Sequence, residues 1–295
     1  MMAPAGAGPT IAQRLAAAAD ALASVSETPR LDAEILLAAA LGLTRAQLLA
    51  RLSDRIDTRG FDGYVERRLN YEPLAYILGE WEFFSLPFTV RPPLLTPRPE
   101  TEHLVETVLD YAAVWEATRG RGSRRKLRVL EVGAGTGCVA VSIAVNLPGA
   151  AVVATDINPL AIEIAGKNAA RHGVEIELRL GDLFDALEPD GSRFDVICSN
   201  PPYIEETAWH ELSPVIRVHE DPRALLAGPD GLAVIRRLVA ESPRRLVEGG
   251  MLAFELGRGQ DDAVRQLLDS GPYRNIRFRN DLAGIRRIAC ADFDG

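Results

Sequence analysis

From Leu127 to the C-terminus, short apolar runs alternate with longer stretches of helical periodicity. Such alternation is typical of a parallel sheet, in which a helix returns the chain to the same end of the sheet after each strand. Only the five residues N-D-L-A-G join the last two runs, which is too short for a helical crossover, so these two strands are predicted to be antiparallel. The predicted strands cover 127–132, 151–155, 175–180, 194–199, 250–256, 274–279 and 285–290, and the predicted helices cover 137–147, 159–172, 230–247 and 260–270.

The chain before this region has a different pattern. Short segments of helical periodicity come first, and aromatic and β-branched residues then surround Leu86-Pro87, as in a β-hairpin. Thr44 followed by Gln47 is a capping box, and Gly42 is suited to end the helix before it. The helices predicted here cover 10–25, 30–41, a short segment after Thr44, 73–79 and, beyond the hairpin, 99–116.

These patterns divide the chain into three parts. Residues 1–80 are predicted to form a small helical domain that docks the substrate, 81–97 a hairpin linker, and 98–295 the domain built on the sheet. Two segments lack any periodicity. We expect residues 1–9, rich in Ala, Gly and Pro, to be disordered, and the basic segment 119–126 to be a solvated connection.

The composition excludes several classes of protein. The net charge of -8 disfavours a protein whose main task is to grip phosphate backbones. The three cysteines, Cys138, Cys198 and Cys290, include no C-x-x-C and the four histidines have no metal-ligand spacing, so neither a disulfide framework nor a metal site is predicted. The N-terminus lacks the features of a signal peptide, and no apolar run of about 20 residues could span a membrane. We expect a cytoplasmic protein without membrane attachment.

A glycine-rich loop follows the first predicted strand of the sheet. The sequence V-G-A-G-T-G places Gly133, Gly135 and Gly137 between a strand and a helix, where ligands bind in such sheets. Position 138 is Cys, so the dinucleotide fingerprint G-x-G-x-x-G is incomplete. Glu131 also brings a negative charge close to where a pyrophosphate would lie. A ligand with an amine or cationic group therefore fits this loop better than a dinucleotide.

Acidic residues also follow the next two predicted strands. Asp156 ends the second strand, in a position that commonly binds ribose hydroxyls, and Asp182 follows the third, where it can accept from an exocyclic amine. Together with Glu131 they are expected to converge on one crevice. Such a ligand has an amine, a ribose and an adenine but no phosphates, which describes S-adenosylmethionine. The alternative is that each acid only caps the helix after it.

The segment C-S-N-P-P-Y-I ends the fourth predicted strand. Two prolines cannot continue a strand, so Asn200, the carbonyl of Pro201 and the ring of Tyr203 are presented at the same edge of the sheet. The Asn oxygen and the Pro carbonyl can accept both hydrogens of a planar NH₂ group and so aim its lone pair at a methyl donor. The alternative is a stiff proline-rich turn with no ligand.

With these motifs the sequence resembles class I methyltransferases that act on planar nitrogen, and more closely the HemK/PrmC family. The resemblance rests on V-G-A-G-T-G and S-N-P-P-Y together with L-L-T-P-R-P-E-T-E-H, H-E-D-P-R-A-L-L-A-G-P-D-G-L and N-D-L-A-G-I-R-R, and it covers residues 30–293. It implies a Rossmann-like α/β fold with a seven-stranded sheet, plus a small N-terminal helical bundle joined by a β-hairpin. It also implies methylation of the side-chain amide nitrogen of glutamine in the Gly-Gly-Gln motif of peptide chain release factors, which modulates translation termination.

The resemblance also implies roles for individual residues. Residues Gly133, Ala134, Gly135, Thr136 and Gly137, with Glu131 and Asn200 beside them, hold S-adenosylmethionine; Asp156 binds its ribose, and Asp182 and Leu183 flank its adenine. Asn200, Pro201, Pro202 and Tyr203 bind the glutamine, and Asn200, Pro201 and Tyr203 carry the catalysis. Arg98 and Glu100 are candidates for the border of the pocket; their alternative is a helix start and a surface salt bridge.

Two rival functions share these motifs. An adenine-N6-type DNA or RNA methyltransferase also presents N-P-P-Y to a planar nitrogen, but the acidic charge and the lack of a basic recognition region disfavour it. A regulatory module that only binds S-adenosylmethionine would not need acceptors aimed at the methyl group. We expect an enzyme that acts as a monomer on release factors, without direct contact to nucleic acid.

Overall fold

The fold is described from a computed structural model, which covers residues 8–56, 60–118, 125–188, 191 and 193–295. The chain divides into two compact units, Met1–Glu80 with Ser213–His219, and Trp81–Leu212 with Glu220–Gly295. Of residues 1–9, for which disorder was expected, residues 1–7 lie outside the described residues. The expected basic connection also lies outside it, apart from residues 125 and 126.

The predicted helices and strands occur in the predicted order, and helices at Phe61–Leu69 and Pro214–His219, which the sequence analysis did not predict, add to them. The helices are α1 (Ile11–Leu22), α2 (Pro29–Leu41), α3 (Arg45–Leu49), α4 (Phe61–Leu69), α5 (Leu74–Leu78), α6 (Glu102–Thr118), α7 (Cys138–Asn146), α8 (Pro159–Arg171), α9 (Pro214–His219), α10 (Ala233–Glu241) and α11 (Asp261–Asp269). The strands are β1 (Glu80–Phe83), β2 (Leu86–Thr89), β3 (Arg128–Val132), β4 (Ala151–Asp156), β5 (Glu177–Leu180), β6 (Phe194–Ser199), β7 (Leu246–Glu255), β8 (Tyr273–Asn280) and β9 (Arg286–Phe293).

The N-terminal unit is a cluster of short helices around an aliphatic core. Capping boxes open α1 at Thr10 and α3 at Thr44, because each threonine hydroxyl accepts from the backbone N–H three residues later. The left-handed residue Gly42 ends α2. The helix predicted through residue 25 ends at Leu22, where the chain turns. The core includes the fully buried side chains of Leu15, Leu22, Leu36, Leu37 and Phe61.

The second unit holds a seven-stranded sheet in the order β5-β4-β3-β6-β7-β9-β8. β3 pairs in parallel with β4 on one side and with β6 on the other, and β6 pairs in parallel with β7. β9 is antiparallel to both β7 and β8, which confirms the prediction drawn from the five-residue link. From β3 the chain adds β4 and β5 on one side and then β6 and β7 on the other. The strand order therefore reverses at β3, and a crevice forms there at the carboxyl ends of the parallel strands.

Both faces of this sheet are covered by helices. Val129 of β3 and Val196 of β6 pack in the cluster that contains side chains of α6 and α7. Leu130 and Val132 point to the opposite face, into the cluster that contains side chains of α10 and α11. Side-chain direction therefore alternates along β3 as expected for a strand buried on both sides, and Glu131 faces the side of α6 and α7.

One predicted helix is wrong in its second half. Helical pattern was expected over 230–247, but α10 ends at Glu241, a 3₁₀ turn spans Ser242–Arg244, and β7 begins at Leu246. Pro243 cannot continue the hydrogen bonds of α10. The pairing of Phe194 with Leu246 then draws the residues after this turn into the sheet. β7 therefore begins at Leu246, before the start of the strand that was expected at 250–256.

The glycine-rich loop is pressed against α8 at Gly137. This residue has φ of 79°, and a Cβ built on it would lie 2.8 Å from Cβ of Ala165. An alanine here would therefore meet both an unfavourable backbone conformation and a helix that cannot move away without loss of packing.

We predict that Gly137→Ala lowers the free energy of unfolding by about 2–4 kcal/mol, from left-handed backbone strain and the clash with α8. Urea unfolding followed by circular dichroism measures this change. Gly149→Ala is the matched control, because its Cβ would meet open space and its φ is ordinary. Equal stability of the two variants would contradict this description of the loop.

Candidate active site

A cavity of about 340 Å³ opens at the carboxyl ends of β3, β4 and β6. This is the edge at which the strand order reverses direction, and ligands of open α/β sheets bind there. The cavity contains polar groups set among apolar walls, as is typical of small-molecule sites. It is lined by Leu94, Leu95, Val132, Gly133, Gly135, Thr155, Asp156, Ile157, Asn158, Gly181, Asp182, Leu183, Ser199, Asn200, Pro201, Pro202, Asp221, Arg223, Ala224 and Val234.

Most of the residues selected from the sequence line this cavity. The structure brings together Gly133, Gly135, Asp156, Asp182, Leu183, Asn200, Pro201 and Pro202. Tyr203 lines a smaller adjoining cavity instead. Four residues of the predicted set lie outside the lining of both cavities, namely Glu131, Ala134, Thr136 and Gly137.

The glycine-rich loop is fastened to β4 by its own backbone. The N–H groups of Gly133 and Ala134 both donate to the carbonyl of Thr155, at 2.8 and 2.9 Å. The next N–H along the loop, that of Gly135, donates to Oδ2 of Asp156 at 2.8 Å. The loop and the end of β4 are therefore one connected piece, and the conformation of the loop depends on the Asp156 carboxylate.

Glu131 lies beneath this loop and not in the cavity wall. Its Oε2 accepts from the backbone N–H of Ala140 at 2.9 Å, in the first turn of α7. Burial raises the pKa of Glu131 well above its ordinary value, and the N–H of Ala140 partly opposes that rise. Of the three acids expected to converge on one crevice, Asp156 and Asp182 line the cavity. Glu131 instead accepts from the backbone at the start of α7.

Asp156 has both carboxylate oxygens engaged by the backbone. Oδ1 accepts from the N–H of Asn158 and Oδ2 from that of Gly135, each at 2.8 Å. Burial raises the pKa of Asp156, while these two N–H groups favour the ionised form. Each oxygen keeps a further lone pair, so the carboxylate can still accept from a ligand hydroxyl.

Asp182 and Leu183 form the wall beyond β5. Oδ2 of Asp182 accepts from Nη1 of Arg237 at 2.8 Å. Leu183 has φ of 46°, which is uncommon for a bulky side chain, and its carbonyl accepts from the hydroxyl of Thr155 at 3.1 Å. Strained backbone of this kind clusters at ligand and active sites.

The segment after β6 is held rigidly at both ends. The hydroxyl of Ser199 donates to the carbonyl of Val132 at 2.7 Å, which fixes this end of β6 to β3. Nε2 of Gln260 donates to the carbonyl of Tyr203 at 2.9 Å. Between these points, Nδ2 of Asn200 donates to Oγ1 of Thr101 at 2.9 Å. The amide of Asn200 therefore has a defined direction.

The smaller cavity, of about 30 Å³, adjoins the first at Asn200 and Pro201. Arg98 lies in its wall, where Nη2 donates to Oε2 of Glu220 at 2.6 Å and Nη1 donates to the hydroxyl of Thr96 at 2.7 Å. Burial raises the pKa of Glu220, and Arg98 opposes that rise. The Arg98 guanidinium is thus in a partly buried ion pair at the border of the pocket. Glu100, the other border candidate, lines neither cavity.

Several residues of the site were missed in the sequence. Asp221 and Arg223 line the larger cavity as an ion pair at 2.7 Å, although their segment was noticed only as part of a family resemblance. Thr101 and Glu255 support Asn200. Alternation along β6 and β7 could have found Glu255, because it follows Ala253 on the face that α6 covers.

The described residues give little support for a metal site or for a cysteine nucleophile. Over the residues that the structure describes, no group of three or more His, Cys, Asp or Glu side chains is arranged to hold a metal ion. Cys198 is fully buried in the sheet, and burial raises the pKa of its thiol well above the ordinary value, as for a packing residue rather than a nucleophile. Within the same described residues, the helices are too short or too polar to span a bilayer.

Comparison with known proteins gives a consistent result. Two family models match, the PrmC N-terminal domain over residues 13–79 and the methyltransferase small domain over residues 119–218. The release factor glutamine methyltransferase of Rhodopirellula baltica is 42% identical over 270 residues, which cover 89% of each chain. The protein of the same description from Vibrio cholerae is 39% identical over 289 residues, covering 96% of this chain and 97% of its own. The chain belongs to the release factor glutamine methyltransferase family.

Membership of this family confirms the resemblance drawn from the motifs and makes the chain a methyltransferase. It does not favour the adenine-N6 alternative. Solved structures support the fold: a methyltransferase from Pyrococcus furiosus has a TM-score of 0.50 and 19% identity, covering 79% of this chain and 99% of its own. A 16S rRNA methyltransferase of T. thermophilus, in complex with AdoMet and guanosine, has a TM-score of 0.50 and 18% identity, covering 72% of this chain and 49% of its own.

The position of Glu131 leads to a stability prediction. At a pH below 4.5, where Glu131 is protonated in the folded and the unfolded chain, Glu131→Ala leaves the Ala140 N–H without its acceptor and is expected to lower the free energy of unfolding by about 1–3 kcal/mol. Under the same conditions Glu131→Gln keeps an acceptor and is expected to stay within about 1 kcal/mol of the parent. Because the folded-state pKa of Glu131 is raised, its contribution is fully present below the ordinary value of 4.5 and is lost as the pH rises through the raised pKa.

Urea unfolding at several pH values tests both parts of this prediction. The parent should lose stability relative to Glu131→Gln as the pH rises. The affinity for S-adenosylmethionine, measured by calorimetry, should change by less than about threefold in Glu131→Gln, because Glu131 lies outside the lining of the cavity. A large loss of affinity in this folded variant would instead make Glu131 a direct ligand.

Proposed function

We propose that this protein transfers a methyl group from S-adenosylmethionine to the side-chain amide nitrogen of the glutamine in the Gly-Gly-Gln motif of peptide chain release factors, and so modulates translation termination. The observation that carries the proposal is the fixed amide of Asn200. Its Nδ2 is engaged by Thr101, which leaves Oδ1 to accept from a planar NH₂ group. The relatives named above support the choice of substrate.

The larger cavity fits S-adenosylmethionine in size and in the chemistry of its walls. Its volume of about 340 Å³ lies in the range of small-molecule sites. Gly133 and Gly135 would allow close approach of the methionine part, Asp156 would accept from the ribose hydroxyls, and Asp182 and Leu183 would flank the adenine. When bound there, the cofactor would supply an electrophilic methyl group.

The protein must make an amide nitrogen nucleophilic, because the lone pair of an amide is delocalised into its carbonyl. Oδ1 of Asn200 and the carbonyl of Pro201 would each accept one N–H of the glutamine. That arrangement directs the lone pair toward the cavity and favours the positive charge that develops on nitrogen as its new bond forms. Tyr203 would pack against the flat amide. The bond between sulfur and the methyl carbon would break as the new bond forms, which leaves S-adenosylhomocysteine. The alkylated nitrogen would be acidic and would lose its proton to water, so a strong general base is not needed.

The remaining assignments extend from this reaction. We propose that the N-terminal helical unit docks the release factor at a distance from the glutamine. We also propose that the enzyme acts as a monomer, in the cytoplasm where translation termination takes place, and that it contacts the release factor without binding nucleic acid. The net charge of -8 supports the last of these assignments.

A methyl-transfer assay with labelled S-adenosylmethionine tests the proposed function. The acceptors are purified release factor, its variant with Gly-Gly-Ala in place of Gly-Gly-Gln, bulk DNA and bulk RNA, each in a separate reaction. Label on the intact release factor alone is expected. Label on nucleic acid with none on protein would mean that the site serves a base.

Removal of the Asn200 amide should stop the chemistry without removing the cofactor. Asn200→Ala is expected to lower kcat by about 100-fold or more, as found when a donor or acceptor aimed at developing charge is deleted. Calorimetric affinity for S-adenosylmethionine should change by less than about threefold, because the main cofactor contacts are elsewhere. Normal turnover by this variant would remove Asn200 from the mechanism.

Asp156 is expected to act on binding. Asp156→Ala should weaken S-adenosylmethionine about 10- to 100-fold, because it removes a charged acceptor and also releases the N–H of Gly135 that shapes the loop. Asp156→Asn keeps one acceptor oxygen and should lose less. The measurement is calorimetric titration of each variant, and an unchanged affinity in Asp156→Ala would contradict the proposed ribose contact.

A further inference from the structure

Three side chains behind Asn200 form a continuous chain of hydrogen bonds. Nδ2 of Asn200 donates to Oγ1 of Thr101 at 2.9 Å, and the hydroxyl of Thr101 donates to Oε2 of Glu255 at 2.7 Å. The other oxygen of Glu255 accepts from the hydroxyl of Tyr203 at 3.0 Å. Thr101 ends the 3₁₀ turn Pro99–Thr101 directly before α6, and Glu255 ends β7. The chain of hydrogen bonds therefore joins three separate parts of the fold behind the N-P-P-Y segment.

The direction of this chain follows from the number of hydrogens available. A threonine hydroxyl has one hydrogen, and here it is committed to the Glu255 carboxylate. Thr101 can therefore offer only lone pairs to Asn200, and only the NH₂ half of an amide can use them. A flipped Asn200 would place its oxygen against an oxygen that has no hydrogen to give. The carbonyl half of Asn200 must point the other way.

Glu255 stays suited to this task in spite of its burial. Its side chain is 1% exposed and that of Thr101 is 2% exposed. Burial raises the pKa of Glu255, and the two hydroxyl donors and the positive charge of Arg287 favour the carboxylate form against the nearby charge of Glu100. A buried carboxylate is costly for a fold unless its acceptors are used, and here both oxygens accept from residues at the site.

We infer that Thr101 and Glu255 are positioning residues for methyl transfer, which lock the side-chain amide of Asn200 with Oδ1 toward the acceptor nitrogen. This inference rests on the proposed function and deepens it, because it assigns a role to two residues that touch neither substrate. Thr101 acts directly on Asn200. Glu255 acts through Thr101, by taking the one hydrogen that would otherwise permit the reversed amide.

The test replaces the Thr101 hydroxyl while keeping its shape. In Thr101→Val, Asn200 is free to flip, and kcat with release factor is expected to fall about 10- to 100-fold, as for misplaced reactive groups. Affinity for S-adenosylmethionine should stay within about threefold, since the cofactor contacts are unaltered. Thr101→Ser restores the hydroxyl and is expected to recover kcat to within about threefold of the parent.

Thr107→Val is the matched control for loss of a buried threonine hydroxyl. Thr107 lies in α6, which begins directly after Thr101, but its hydroxyl donates to the carbonyl of His103 and takes no part in the chain behind Asn200. Its kcat should stay within about twofold of the parent, as for a site remote from the chemistry. Equal loss in Thr107→Val and Thr101→Val would overturn the inference, because any disturbance of α6 would then have the same effect.

Other outcomes separate this inference from the proposed function. If the parent enzyme labels no release factor, the proposed function fails. If the parent is active and Thr101→Val turns over equally fast, or Thr101→Ser is as slow as Thr101→Val, the positioning role fails. Should Thr101→Val not fold, Glu255→Leu serves in its place: it removes the oxygen that takes the Thr101 hydrogen, so the Thr101 hydroxyl can donate to a flipped Asn200. We then expect kcat to fall severalfold with cofactor affinity kept, and an unchanged kcat would overturn the inference.

Discussion

The parallel pairing of β3 with both β4 and β6 is the constraint on which the site depends. Those two registers bring Val132, Asp156 and Ser199 to the same edge of the sheet, although they are far apart in sequence. Burial of both faces of β3 under helices holds the registers in place. A slip of one residue would turn Glu131 away from α7 and into the apolar cluster under α10 and α11, and would turn Leu130 and Val132 to the opposite face. The cavity is the space left where these strands stop.

Buried acidic side chains then give this edge its detailed shape. Glu131 holds the first turn of α7, Asp156 fixes the glycine-rich loop, and Glu255 orders the hydroxyls behind Asn200. Burial of each acid is tolerated because N–H or O–H groups donate to it, and each fixes a neighbouring segment to the sheet through these hydrogen bonds. The loop and the N-P-P-Y segment are therefore held by hydrogen bonds within the protein itself, as the proposed chemistry requires.

Local signals in the sequence were enough for the strands, the antiparallel ending and the polar part of the cavity wall that the glycine-rich loop, Asp156 and Asn200 supply. Glycine spacing, an acid at a strand end and two prolines after an apolar run each depend on neighbouring residues alone. Partners that are distant in sequence could not be seen in this way. Thr101 and Glu255 are 154 residues apart and come together only through the strand order. The helix predicted past Glu241 failed for a related reason, since pairing with β6 outweighs the helical pattern of the residues after Pro243.

A structure of the enzyme with a glutamine-containing release factor and S-adenosylhomocysteine would test the central claim most directly. The distance to be measured is that between the glutamine side-chain nitrogen and Oδ1 of Asn200. The account predicts a hydrogen bond of about 2.8–3.1 Å there, a second from the same nitrogen to the carbonyl of Pro201, and Nδ2 of Asn200 still on Thr101. A glutamine bound with its carbonyl on Nδ2 of Asn200, or lying outside the N-P-P-Y segment, would contradict it.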